Sequence, residues 1–216
     1  MSSLKYKLTY FINPPVIQFS PPRTGSTLLW NTLRICFPKR NVKKVHRLAG
    51  FEKKFRVAPI VASIRDPLDS ISSSIQRYGL EPTDDVISDH IREYEKQGMW
   101  QLYEIWGKKN VLVLRYEDFA FDFDHMFAEL EAFFKVAIPN QLKKRVVEEF
   151  SIDRVKQKAE SRGEFANYDK EDQIHGQHIS KFSGASGYYR EFLSEQQIEH
   201  VYEHFKKIFV AFDYEI

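Results

Sequence analysis

The chain has 216 residues, 43% hydrophobic and 29% charged, which are the proportions of a globular protein with a full core. Lysine and arginine number 32 against 30 aspartates and glutamates. This balance excludes the one-sided field of a generic nucleic-acid or membrane-surface binder and leaves any anion site to a few placed residues.

Cys36 is the only cysteine, so neither an internal disulfide nor a cysteine-rich metal site can form, which suits a reducing, cytoplasmic setting. Residues 1–13 lack the basic-then-apolar pattern of a secretory signal. The most apolar internal run, Val57–Ile64, is far short of a membrane span. With no repeat or linker-like break, a single domain over residues 1–216 is expected.

In chain order, Val16–Phe19 reads as a buried strand and Ser26–Phe37 as a helix, with Leu29, Leu33 and Cys36 on one face. Val42–His46 is a further candidate strand, and Ala58–Ile64 a β-rich apolar run. Asp66-Pro67 reads as an N-cap followed by proline at the first helical position, opening a helix to about Tyr78. Val86–Trp106 carries helical periodicity, Val111–Leu114 is a strand, and Phe123–Phe134 and Gln141–Val155 are helical. Ser194 to Gln197 is a capping-box pattern starting a last helix to about Phe209. Alternating strands and helices imply an α/β three-layer sandwich around a parallel sheet of about four to five strands. Ligands of such sheets bind at the carboxyl ends of the strands.

The chemistry-bearing segments fall at those ends. Pro22-Arg23-Thr24-Gly25-Ser26-Thr27-Leu28 follows the first strand and runs into a helix. Gly25 permits a sharp turn and close approach, the helix start offers N–H groups, Ser26 and Thr27 add hydroxyls, and Arg23 adds a fixed positive fork. A strand-to-helix turn with a hydroxyl cap would look similar and need no ligand. The loop lacks the first glycine and the lysine of G-x-x-x-x-G-K-[ST]. Arg65, at the end of the third strand, and Ser73, eight residues on, could clamp a phosphate; the alternative is a surface Arg–Asp pair on a serine-rich helix. Lys44-Val45-His46 places a candidate general base at another strand end, although a histidine among basic residues is commonly just solvated. Tyr116-Glu117-Asp118 ends the fourth strand; Tyr116 could lie against a base or sit at the core rim. Gly184 and Gly187 occupy a hydroxyl-rich stretch that suits a loop over an anion, or a plain surface loop. His175 and His178 lie in a polar stretch, and His200 and His204 are four apart on the last helix; all four read as solvated, with no metal site expected.

Taken together, the order and spacing of these segments resemble the sulfotransferases that use 3′-phosphoadenosine 5′-phosphosulfate (PAPS) and release its desulfated form, PAP. Residues 22–27 look like that family's P-[KR]-[ST]-G-[ST]-[ST] phosphosulfate loop. Arg65 and Ser73 match its R-[ND]-P-x-D-x-x-x-S motif for the 3′-phosphate, Lys44-Val45-His46 its K-T-H segment, Tyr116-Glu117-Asp118 its Y-E-D, and Gly184 with Gly187 its G-x-x-G. The resemblance runs from about Val16 to Phe192.

Three departures stand out. Arg23 replaces the lysine of cytosolic members. Phe182-Ser183 stands where those carry Arg-Lys, with Lys181 as the nearest substitute for the 3′-phosphate contact. Only 23 positions separate Arg23 from His46, which removes most of the acceptor-binding insertions.

The resemblance implies sulfuryl transfer to a hydroxyl or amine of a small-molecule, glycan or lipid acceptor. His46 would be the base, Arg23 and Lys44 would stabilise the leaving phosphate, and no metal would be required. The rivals are a small phosphate-loop nucleotide kinase and a PAP-binding module without catalysis.

Overall fold

The structure is a computed structural model that describes residues 14–48, 58–176, 178–179 and 183–215. Lys181 therefore lies outside the described residues. Four strands, β1 (Val16–Phe19), β2 (Val42–Val45), β3 (Ile60–Ile64) and β4 (Val111–Arg115), form one sheet in the order β2-β1-β3-β4. All pairs are parallel, with Val16 opposite Val42, Ile17 opposite Ile60, and Ile60 opposite Val111. The expected Val42–His46 strand is present and ends one residue earlier.

Helices cover both faces because the strands divide their side chains by the two-residue period of β structure. Val16, Val61 and Leu114 point to one side, where Leu29 and Leu33 of α1 (Ser26–Cys36) meet α6 (Phe123–Phe134) and α7 (Asn140–Phe150). Ile17, Phe19, Ala62 and Ile64 point to the other. There they pack with α2 (Pro67–Arg77), α3 (Asp84–Lys96), α4 (Met99–Ile105) and α10 (Glu195–Ala211). Burial of these aliphatic and aromatic side chains, each worth about 1.5–3 kcal/mol, holds the three layers together. The short α5 (Tyr116–Phe119), α8 (Ile152–Arg162) and the short α9 (Tyr189–Phe192) complete the set among the described residues.

Helix boundaries differ from the sequence expectation at two points. The single helix expected over 86–106 is two helices, α3 and α4, because Gly98 sits between them at φ 92°. A β-carbon there would come within 2.8 Å of the Phe19 ring and the His46 carbonyl, so the chain turns at the one residue that fits. The helix expected over 141–155 divides at Ser151, whose ψ of 151° is extended; α8 then continues to Arg162. The last helix starts with the expected capping box, reciprocal between Ser194 and Gln197. No helix among the described residues is long and apolar enough to cross a membrane.

Candidate active site at the carboxyl edge of the sheet

The parallel sheet delivers four segments to one edge: residues 20–28 after β1, His46 after β2, Arg65 after β3 and Tyr116 after β4. The loop after β1 is tied from below. Thr24 is fully buried; its hydroxyl donates to the Pro21 carbonyl at 2.8 Å and lies 3.1 Å from Ser63 Oγ. The Thr24 side chain is thus a structural pin, and what the loop presents are its neighbours. Gly25 begins α1 in the left-handed region (φ 80°) with no side-chain cap and no acidic residue in the first turn. A cap was the ligand-independent explanation of Ser26; Ser26 is buried and does not act as one. The N–H groups of the first turn thus keep their capacity for an anion. Gly25 is also required sterically, because a β-carbon would meet the Tyr116 and Phe119 rings at 2.8 Å.

Beside this loop lies a cleft of roughly 470 Å³, within the usual size range of small-molecule sites. Arg23, Lys44 and His46 line it, together with the Gly25–Leu28 turn. Arg23 holds φ 62°, a strained value for a non-glycine residue, and its guanidinium donates to Ser73 Oγ at 3.0 Å and to the His178 carbonyl at 3.2 Å. Its surface is only half-buried, yet enough protein surrounds the guanidinium that desolvation lowers its pKa, with nearby Arg65 adding to the effect. Lys44 Nζ donates to Thr27 Oγ1 at 2.9 Å, leaving the Thr27 proton free to donate onward. Burial, then Arg77, pushes the Lys44 pKa down to about 8.

His46 Nδ1 lies 2.7 Å from the Ser20 carbonyl. A carbonyl only accepts, so Nδ1 carries the proton and Nε2 keeps its lone pair. Although the residue is exposed, the protein around its ring lowers the His46 pKa by desolvation; the Ser20 bond opposes this and Lys44 reinforces it. A neutral imidazole with a free Nε2 at neutral pH has the form of a general base.

The Arg65 side of the edge is built differently. Arg65 is 3% exposed and donates to the carbonyls of Ala185 at 2.7 Å and Gly184 at 3.3 Å. It lies 3.8 Å from the Asp69 carboxylate and 4.5 Å from the centre of the Tyr116 ring. The Arg–Asp pair considered as a surface feature is therefore buried, and its acid is Asp69. Asp66 instead caps α2, accepting from Leu68 N at 2.8 Å. Ser73 is not bonded to Arg65; it accepts from Arg23. Gly184 packs against the Tyr116 hydroxyl. Glu117 links elements, accepting from the Asp66 N–H at 3.0 Å and from Tyr214 Oη at 3.1 Å.

Three residues that the sequence did not point to complete the cleft. Arg77, one turn beyond Ser73 on α2, lines it, as do His175 and His178. Desolvation lowers the pKa of both histidines, opposed in His175 by its bond to the Phe165 carbonyl and reinforced in both by neighbouring arginines and Lys44, and it lowers that of His178 strongly. They are cleft residues, contrary to the solvated role expected. His204 instead pairs with Glu95 at 2.9 Å, tying α10 to α3.

The family model for the sulfotransferase domain matches residues 58–212, well over half of the chain. The chain belongs to the sulfotransferase domain family. The matched segment contains Arg65, Ser73, Tyr116 and Gly184 and begins after the loop of Arg23 and after His46. No curated protein matches the chain by sequence. Among solved structures, a mouse sulfotransferase (SULT7A1) complexed with PAP is 15% identical with a TM-score of 0.64, covering 90% of this chain and 84% of that one. Retinol dehydratase in complex with androsterone and the inactive cofactor PAP is 15% identical with a TM-score of 0.64, covering 95% and 84%. The same enzyme with retinol and PAP gives 16% and 0.58, covering 95% and 85%. These likenesses establish a shared fold.

Proposed function

We propose that this sulfotransferase-family chain takes the sulfuryl group of PAPS and places it on an acceptor hydroxyl or amine presented to His46. The observation that carries the proposal is the convergence at one cleft of an uncapped helix start, two cations and a histidine whose Nε2 is free. The neighbours that share the fold were solved with PAP. The residues present suit that nucleotide: Arg23 and Lys44 have no carboxylate partner among the described residues, and Arg65 Nε is buried without a hydrogen bond.

PAPS supplies an activated sulfuryl group whose departure leaves negative charge on the 5′-phosphate. Arg23, Lys44 and the first N–H groups of α1 are placed to meet that charge, in a cleft where their low solvation strengthens the interaction. The loop needs no rearrangement to offer them, since Thr24 already fixes it to Pro21 and Ser63. His46 Nε2 takes the acceptor proton, while Nδ1–H bonded to Ser20 keeps the ring oriented. Arg65 and Ser73 hold the 3′-phosphate, with Tyr116 beside the base and the Gly184–Gly187 loop closing over it. Since the Gly184 and Ala185 carbonyls now occupy the Arg65 guanidinium, that loop shifts as the phosphate arrives.

The test is transfer of labelled sulfate from PAPS to a panel of small-molecule, glycan and lipid acceptors. Transfer that requires His46 supports the reading. A chain that binds PAP tightly but transfers to no acceptor would instead be a PAP-binding module.

A further inference from the structure

The cleft carries more positive charge than the donor asks for. Arg23, Lys44 and Arg77 line it together with three histidines, and among the described residues no aspartate or glutamate does. A phosphosulfate brings one negative charge on its phosphate and one on its sulfate, which Arg23 and Lys44 answer. Arg77 is left over.

Arg77 leaves the last turn of α2 with its Nε buried and without a hydrogen-bond partner. No acidic side chain among the described residues lies within ion-pair distance of it. The Phe165 ring lies against its guanidinium at 3.9 Å instead. Burial and the nearby Arg23 lower its pKa to about 10, so it remains charged at neutral pH. A half-buried cation without a counter-charge is costly in the protein alone, and an incoming anion relieves part of that cost.

The surroundings extend the feature outward. Phe165 stacks on His175 at 4.6 Å and 10°, and Tyr168 stacks on His175 at 4.8 Å and 24°. His175 Nδ1 is 3.0 Å from the Phe165 carbonyl, which fixes its proton there and leaves Nε2 free. Phe165 and Tyr168 remain 37% and 49% exposed; neither lines the cleft, and they reach it through Arg77 and His175, which do. On its other side Arg77 borders a second hollow between α2 and α3, but Asp89 and Glu93 line that one, so the place for an anion is the cleft.

We propose that Arg77, held against the Phe165 ring and flanked by His175, forms an acceptor subsite for an anionic group (carboxylate, sulfate or phosphate) on the molecule whose hydroxyl reaches His46. This rests on the sulfuryl-transfer reading of the cleft. It makes the preferred acceptors acidic molecules rather than neutral phenols or alcohols.

The experiment is calorimetric titration of the PAP-saturated protein with 4-hydroxyphenylacetate and with its neutral amide, which has nearly the same shape and no charge. The carboxylate is expected to bind at least about ten-fold tighter, as one desolvated ion pair allows. In R77M that preference falls below about two-fold while PAP affinity holds, and R77K retains an intermediate preference. Arg77 makes no hydrogen bond among the described residues, so both variants should fold; thermal melts check this.

Equal binding of the two probes, no binding of the carboxylate at millimolar concentration, or a preference that survives R77M overturns the proposal. So does a matching loss of PAP affinity in R77M, which would assign Arg77 to the donor. Failure of PAP to bind the unaltered chain is a different result. It removes the donor reading, and the same two probes then decide the subsite on the chain without PAP.

Discussion

Two arginines at the carboxyl edge of one sheet sit in opposite circumstances. Arg23 is half-buried, strained in its backbone, and among the described residues bonded only to a hydroxyl and a carbonyl. Arg65 is fully enclosed, with a carboxylate, two carbonyls and an aromatic ring about it. A cation without a counter-ion suits a site where negative charge develops during a reaction; a cation already surrounded suits a binding point that the protein keeps ordered. The two arginines of this sheet edge are thus distinguishable by their partners: Arg23 lines the cleft and Arg65 lies enclosed beside it.

The sharpest way to break this comparison is at the base. His46→Ala is expected to lower turnover by about 10²–10⁴ while PAP affinity is retained; steady-state rates paired with PAP titration check it, and retained activity with an unchanged pH profile would remove His46 from the mechanism. Next is Arg23→Ala, which should lower turnover by about 10²–10³, as for one lost oxyanion-type donor, with little change in melting temperature because no ion pair is broken. Near-normal turnover would show that the uncompensated charge is incidental.

Arg65→Ala should do the reverse and damage the fold first. Leaving Asp69 buried without its cation costs about 3 kcal/mol, seen as a melting temperature roughly 6–12 °C lower. An unchanged melt would mean that Arg65 is no more structural than Arg23.

The smallest effect is one of pH. Lys44 titrates near 8, and an anion binds the protonated form, so PAP affinity should be level below pH 8 and fall above it by up to about ten-fold per unit. A titration series from pH 7 to about 9.5 checks the slope, which Lys44→Met should flatten. His46, whose pKa is lowered, should limit the rate only on the acid side of the ordinary histidine range.

Much of the fold was legible because strands buried on both faces read as short apolar runs, as in Ile60–Ile64, and because Asp66-Pro67 and Ser194 to Gln197 carry cap chemistry in adjacent residues. The breaks at Gly98 and Ser151 were not, since the periodicity runs on through both positions and only packing against Phe19 and His46 explains the first. The loop and Lys44, His46, Arg65 and Tyr116 were legible as strand-end motifs, and the parallel sheet delivers them to one edge. Their pairing was less so: Ser73 bonds Arg23 across 50 positions rather than Arg65 across eight, since the strained loop turns Arg23 toward α2. Arg77 and His178 carry no motif. They meet only because residues 163–176 and 178–179 fold back over the cleft, which no local pattern announces.

The central claim, a nucleotide site with a reacting end and a 3′-phosphate end, is tested most directly by calorimetry of PAP, AMP and magnesium-ATP against the unaltered chain at pH 7. The account predicts that PAP binds well over ten-fold tighter than AMP, which lacks the 3′-phosphate answered by Arg65 and Ser73, as two charge-assisted contacts allow. It also predicts that PAP outcompetes magnesium-ATP. PAP binding no tighter than AMP, or weaker than magnesium-ATP, would contradict it.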